Sequence, residues 1–401
     1  MTAPLAGLHV LDLGTRIAAP FCAGLLGEMG AEVIKIEQPG RGDFMREIGP
    51  FAPDDAQPDG PGYSLFWAVE GRGRKSVTID LRDERGQALF RRLAATADVV
   101  VENFRPGTLE RWNIGPADLD PTLVVVRISA FGQDGPYSQR PGLDRVGIGY
   151  GGLLNLTGYP DRPPVRVGIT ISDYLTGVFS AHAAVAALYA RDTKRSGEGA
   201  VIDAALYGAA LRVLEWTVAG YDRLQVERSR EGNRLANSAP LDNYPTADGK
   251  YVCIVAGSDA NFSRLCKAMD RTDLLDEPRF ARLKERAANG DEINGIVADW
   301  TRAHTAAEVE QACVACDVPV ATAYTPADMF ADPHFAARGD LVLVDDPVAG
   351  PHRQQAPFPR FAGEQPAAPT GAPRLGEHTR EVLAAVADAA ELDALATDGV
   401  I

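Results

Sequence analysis

Histidine and cysteine are sparse in this 401-residue chain, and neither is arranged to hold a metal. The six histidines are isolated and none has ligand spacing, so no metal centre is expected. The five cysteines, Cys22, Cys253, Cys266, Cys313 and Cys316, are odd in number and scattered, which points to a reducing compartment. Cys313 and Cys316 have redox or zinc spacing, but no second pair lies near them. They read as two helix residues one turn apart. The first residues, Met-Thr-Ala-Pro-Leu-Ala-Gly, have no basic stretch and no long apolar run, so they do not read as a secretory signal. No segment reads as an uninterrupted membrane span, and the expected location is cytoplasmic. Positive charge is also in deficit. With 40 basic against 55 acidic residues the net charge is −15, which argues against a general nucleic-acid or anionic-membrane binder. An anionic ligand would need a local basic patch.

A glycine fingerprint is missing as well. Leu8–Leu13 reads as a strand, Gly14–Pro20 as a loop, Leu25–Met29 as a helix and Ala31–Ile36 as a second strand ending in Glu37. This is a parallel βαβ unit of Rossmann-like type. A pyrophosphate-binding turn needs Gly-x-Gly-x-x-Gly, yet Gly14 is followed by Thr15, Arg16 and Ile17. The fold inference stands without a dinucleotide.

The remaining chain is well supplied with core: 45% of residues are hydrophobic, and the 40 glycines and 28 prolines are dispersed. Its length suggests roughly two or three domains. Further strands are expected at 76–81, 97–101, 123–128 and 197–203, with a helix over 85–95. A long helix is expected from Ala204 to about Leu224, then a polar linker over 225–237. A second unit follows, with a strand at 251–255 and helices near 261–269, 292–303 and 306–316. The Pro- and Gly-rich stretch 347–374 would wrap the surface before a last helix over 378–390. The fold class is α/β.

Asp173 is placed at the junction between an apolar strand and an Ala-rich helix, which makes it the best candidate for a reacting group. The positive end of a helix dipole and free backbone N–H groups there would favour the ionised form and leave donors for an oxyanion. A plain helix cap is the competing reading, and on this segment alone it stands first. Basic residues gather early: Arg41, Arg46, Arg72, Arg74, Lys75, Arg82, Arg105 and Arg111 follow or precede strand ends. Such ends are where parallel sheets bind ligands. Asn103, Phe104 and Arg105 add an amide, a ring and a cation on one loop, a combination that suits a nucleotide.

Eight strings occur in the order seen in the class III CoA-transferases, the CaiB/BaiF family, which the chain resembles over nearly its whole length. They are 11–14, 30–43, 74–81, 101–107, 131–137, 171–177, 276–280 and 375–378. The resemblance implies a Rossmann-like large domain completed by the C-terminal tail, a smaller α+β domain, and an interlocked homodimer. The corresponding spans are 1–195 for the large domain, 196–235 for a linker helix, 236–325 for the small domain and 326–401 for the return to the large one. It implies further that Asp173 is a nucleophile moving CoA between an acyl-CoA donor and a small free carboxylic acid. Coenzyme A is then a substrate, with no permanently bound cofactor, no metal, no nucleic acid and no membrane. Arg16, Ile17, Arg41, Ile79, Arg82, Asn103, Phe104, Arg105 and Arg111 would bind CoA, and Asp144 and Gly177 would support Asp173. Ile17 and Gln38 depart from formyl-CoA transferases, and Val255–Asp259 contains a single glycine, which speaks against oxalate or formate. Some relatives are α-methylacyl-CoA racemases, which need a histidine where this chain has Leu143. Asp259 lies near a further racemase acid but does not replace the imidazole, and His182 reads as an ordinary helical residue. Transfer is therefore preferred to racemisation.

Overall fold

Short aliphatic runs form the strands of a parallel sheet, and all but the edge strand Ala200–Ala205 are largely dry on both faces. In a computed structural model, which describes residues 3–54, 60–193, 197–363 and 368–401, these are β1 (His9–Asp12), β2 (Glu32–Glu37), β3 (Lys75–Thr78), β4 (Val99–Glu102), β5 (Val124–Ser129) and β6 (Ala200–Ala205). They pair in the order β3-β2-β1-β4-β5-β6, all parallel. This is a doubly wound order, and its topological switch point lies between β1 and β4.

Alternate residues along each strand feed opposite cores, as the two-residue period of a strand requires. Leu11, Ile34, Val100 and Val125 pack on one side with Leu89, Phe90 and Leu93 of a helix at Glu84–Ala94. Val10, Val33, Val99, Val101 and Val124 pack on the other with α1 (Ala18–Glu28) and the long helix Ile171–Thr193. The tail closes the first side. Val382, Leu383, Leu392 and Leu395 join that core, the Thr78 amide donates to Thr379 Oγ1 at 3.0 Å, and the Asp80 amide donates to the Val400 carbonyl at 2.8 Å.

The chain divides into two compact units. One comprises the residues up to Leu153, Val167–Val218 and Arg338–Ile401, and the other Leu154–Arg166 and Ala219–Ala337. The second unit is α+β. Three antiparallel strands, β7 (Leu241–Pro245), β8 (Tyr251–Val255) and β9 (Val320–Thr322), pair as β9-β8-β7. Val252, Ile254, Phe262, Leu265, Val297 and Val309 form its core.

Several expectations change. The linker helix over 196–235 is not one element, because Ala200–Ala205 is the edge strand β6 and Leu206–Arg212 is a separate helix of the first unit. The long helix from Ala204 breaks between Arg212 and Thr217, where Glu215 takes a left-handed φ of 53°. The boundary expected at 195 falls on residues outside those described, and the return to the first unit comes at Arg338 rather than at 326. The stretch from 347 contributes Gly350–Gln355 to a hairpin with Leu341–Asp346, and the last helix is two, Thr379–Leu383 and Ala389–Thr397. Contrary to expectation, the 23-residue helix Ile171–Thr193 is long and apolar enough by composition to cross a membrane. Its Ala181, Ala184 and Leu188 are buried in the core beside the sheet.

Candidate active site

The carboxyl ends of β1 to β4 open on a cleft of about 310 Å³, lined by Arg16, Arg41, Phe44, Ile79, Arg82, Phe104 and Trp112 among others. Strand ends at a switch point are the binding edge of such sheets. Beside β1 the loop Gly14–Arg16 is held through its backbone. Asp12 Oδ1 accepts from the Gly14 amide at 2.9 Å, and the buried Lys35 ammonium donates to the Gly14 carbonyl. Asn103 Oδ1 accepts from the Thr15 amide at 2.9 Å while its Nδ2 donates to the Thr15 carbonyl at 2.7 Å. Asp43 Oδ1 accepts from the Arg16 amide at 3.0 Å. The amide N–H groups of Gly14, Thr15 and Arg16 are thus all taken by the protein's own side chains.

These bonds hold Arg16 at a left-handed φ of 68°, a conformation that costs a non-glycine residue about 1–2 kcal/mol. Behind the loop lies a buried ionic network. Lys35 Nζ is 3.3 Å from Asp12 and 2.9 Å from Asp43, and Arg74 reaches Asp12 at 2.6 Å. Burial works against the Lys35 charge, but Asp12 and Asp43 outweigh it and hold its pKa above the usual lysine value. Burial likewise opposes the Asp43 carboxylate, and Lys35 with the amides of Met45 and Arg16 brings its pKa below the usual range.

Asp173 is the third residue of its helix, with irregular chain rather than a strand before it, so it is not the cap that the sequence suggested. The cap comes from elsewhere. Asp144, the first residue of α2 (Asp144–Tyr150), accepts from the Ser172 amide at 2.9 Å and from Ser172 Oγ at 3.0 Å. We call the helix it caps α3 (Ile171–Thr193). The expected preference of Asp173 for the ionised form is also overturned. Burial first, and then the nearby charge of Asp144, push its carboxyl up to about 7, while Arg16 pulls the other way. Near neutral pH both the acid and the carboxylate are therefore populated.

Gly177 lies one turn further along, where α3 meets α1. A Cβ there would stand 2.9 Å from Phe21 Cδ1 and 3.0 Å from the Ala18 carbonyl oxygen, so only glycine permits this approach. Tyr174 packs edge-on against Phe21, with centroids 4.8 Å apart, and donates to Glu70 at 2.8 Å. This Tyr174–Glu70 pair beside Asp173 was not legible in the sequence, because 104 residues separate its members.

Of the residues expected around CoA, Arg16, Arg41, Ile79, Arg82 and Phe104 line the cleft. Ile17 is instead buried with Met45 and Trp67, and Asn103 spends both ends of its amide on Thr15. Arg105 and Arg111 are exposed outside the cleft lining, and Arg111 donates to Thr108 Oγ1 at 3.0 Å. Arg82 is paired with Asp80 in a two-bond contact. Arg46, Arg72 and Arg74 of the early basic cluster are tied to Glu37, Glu28 and Asp12. Trp112, whose ring lies 5.2 Å from that of Phe104, belongs to the cleft but was missed, since its strand-distal position carries no pattern.

The family model for CoA-transferase family III matches residues 5–379. The chain belongs to this family. It is 42% identical over 382 residues to succinyl-CoA–D-citramalate CoA-transferase of Chloroflexus aurantiacus, covering 94% of this chain and 93% of that one. It is 36% identical to succinate–glutarate CoA-transferase of Agrobacterium fabrum, with 95% of each chain covered. The crystal structure of a CaiB/BaiF family protein from Brucella suis superposes with a TM-score of 0.85 at 33% identity, covering 96% of this chain and all of that one.

In this family III CoA-transferase racemisation is not favoured. Leu143, which carries no proton, is 55% exposed immediately before Asp144. His182 lies nine residues beyond Asp173 on the same helix, which turns it to the opposite face, and it is exposed. In the second unit Asp259 accepts from Arg286 at 2.7 Å, which holds its carboxyl below the usual range and leaves it a poor proton donor.

Proposed function

We propose that the enzyme moves CoA from succinyl-CoA to a small dicarboxylic acid through covalent intermediates on Asp173. The observation that carries this reading is the setting of Asp173: a partly buried carboxyl raised to about 7, acted on by a cation from the cleft lining. A carboxylate with a raised pKa is a more basic, and hence stronger, nucleophile once ionised. The activities of the two relatives named above supply the donor and acceptor class.

The reaction closes without ATP or metal. The Asp173 carboxylate attacks the thioester carbonyl, expelling CoA thiolate and leaving a mixed anhydride. The thiolate attacks the aspartyl carbonyl, releasing the donor acid and forming an aspartyl-CoA thioester. The acceptor carboxylate attacks that thioester and again expels CoA thiolate. The thiolate then takes the acceptor acyl group and restores Asp173. Thioester energy is conserved, and exclusion of water protects both intermediates. Arg16, Arg41, Ile79, Arg82 and Phe104 are the residues proposed to hold CoA, with Asp144 setting the reactivity of Asp173.

The proposed working form is a homodimer. In its support, Val178, Phe179, Val185 and Tyr189 of α3 are exposed, an apolar stretch that calls for cover. Free cysteines fit the reducing cytoplasm in which we place it. The test is incubation with succinyl-CoA and a panel of carboxylic acids. Asp173→Ala is expected to abolish transfer, and mass spectrometry after hydroxylamine or borohydride trapping should place the adduct on Asp173. Deuterium exchange into a 2-methylacyl-CoA in the absence of transfer would overturn the proposal.

A further inference from the structure

Asp43 lies in the turn after β2 and is 3% exposed. One of its oxygens accepts from the Arg16 amide at 3.0 Å, from Thr15 Oγ1 at 3.2 Å and from the Met45 amide at 2.9 Å. The other faces Lys35 Nζ at 2.9 Å. The bond to Met45 only caps its own turn, but the other two cross 27 and 28 residues of sequence to grip the loop between β1 and α1. What they grip is the left-handed Arg16, in a conformation that an L-residue keeps only when held. The next residue, Phe44, places its ring 4.2 Å from the Arg16 guanidinium, so the segment holds both the backbone and the side chain of Arg16.

We propose that Asp43 is a positioning residue for CoA transfer, holding Arg16 in its left-handed conformation so that the guanidinium serves both the cleft and Asp173. This rests on the reading of Asp173 as the nucleophile. The elements packed against α3 carry Cys22 and Glu28 on α1, Arg127 on β5, Asp203 on β6, Asp144, Arg145 and Tyr150 on α2, and Tyr207 and Arg212 on the helix Leu206–Arg212, while Glu70 accepts from Tyr174 at 2.8 Å; Arg127 is taken up by Glu102 and Glu110, and Asp203 accepts from the Gln133 amide. On α3 itself stand Tyr174, His182, Tyr189, Arg191 and Asp192. Among the described residues, the charges that act on Asp173 are those of Asp144 and, with the opposite sign, Arg16 from the loop. Asp43 is not among the groups acting on Asp173, and its route to that carboxyl runs through Arg16.

Asp43→Asn tests this, because the amide must turn its NH2 either toward the Lys35 ammonium or toward the three donors, and either choice breaks the grip. The readout is kcat/KM for succinyl-CoA against pH, which reports the free enzyme. The ascending limb should move up by about one pH unit, as it should in Arg16→Ala. The loss is then about tenfold greater at pH 6 than at pH 9, where only the weakened hold of Arg16 on CoA lowers activity. The double variant should move the limb no further than either single one. Thr15→Val, which removes one bond and leaves the buried charges intact, should move it the same way by less and serves if Asp43→Asn is insoluble. A limb that stays in place, a loss equal at every pH, or additive shifts in the double variant overturn the inference. Asp173→Ala that still transfers CoA refutes the nucleophile whatever Asp43 does. Asp173→Ala that is inactive alongside an unmoved limb in Asp43→Asn refutes the positioning role alone.

Discussion

Replacing Asp173 with asparagine should make the protein more stable at pH 8 and leave it nearly unchanged at pH 4. The folded chain lifts this carboxyl from 3.8 to about 7, through burial first and the charge of Asp144 second. Between those values the folded state binds a proton that the unfolded state has released, so stability falls as pH rises through the window and the loss is complete above about 7. A rise of about three units sets a ceiling of about 4 kcal/mol. Asp173 is only partly buried, so solvent screening reduces the expected gain in Asp173→Asn to about 1–2 kcal/mol at pH 8. Asparagine has the same shape, and no cap is lost because Asp144 supplies it. The assay is urea unfolding of wild type and variant at pH 4, 6 and 8, with the m-value checked for constancy. A variant that is less stable at pH 8, or equally stabilised at all three values, would refute the electrostatic account of the site.

Two other substitutions separate charge from geometry. Asp144→Asn keeps an acceptor for Ser172 but removes the charge that raises Asp173, so the ascending limb of the kcat/KM profile should move down by about one pH unit. Asp144→Ala also strands the buried Ser172 amide and should cost about 1–3 kcal/mol in thermal or urea unfolding. Gly177→Ala gains about 1 kcal/mol of helix propensity, yet its Cβ would meet the backbone of α1. Overpacking of this kind costs about 1–3 kcal/mol, so net destabilisation in urea is expected, and a stabilised variant would show that α1 gives way freely.

The parallel sheet was legible because all its strands but the edge strand β6 are largely buried on both faces. Runs such as Val99–Glu102 and Val124–Ser129 leave no other reading, and β8 falls at the expected residues. The strands β7 and β9 were not legible. Leu241–Pro245 carries Asp242, Asn243 and Pro245, since only part of it faces a core. The break after Arg212 depends on one left-handed residue, Glu215, and no glycine marks it. At the site, Asp173 could be singled out from its neighbours in sequence. Its electrostatics could not, because the carboxylate that caps its helix and raises its pKa lies 28 residues from the Ser172 amide it accepts. The basic cluster was misjudged for the same reason. Arg74 finds Asp12 across 62 residues, and nothing in the local sequence shows that this cation is already spent.

The loop after β1 explains why the chain can have a Rossmann-like sheet without a Rossmann ligand site. In that fold the turn keeps its amides free and its side chains small, so that backbone meets phosphate. Here Asp12, Asn103 and Asp43 take the amides of Gly14, Thr15 and Arg16, and Lys35 takes the Gly14 carbonyl. An anion arriving at the cleft finds no free backbone amide on these three residues, and its charge falls to side chains such as Arg16 and Arg41. A rigid loop also suits the proposed chemistry. Covalent transfer to Asp173 needs the thioester carbonyl and the carboxylate aligned to within a fraction of an ångström, and a cation that drifted would change the charge state of the nucleophile during the reaction. Asp43, one of the buried acids that take up the loop amides, thus also fixes Arg16, a cation that acts on Asp173, the proposed nucleophile.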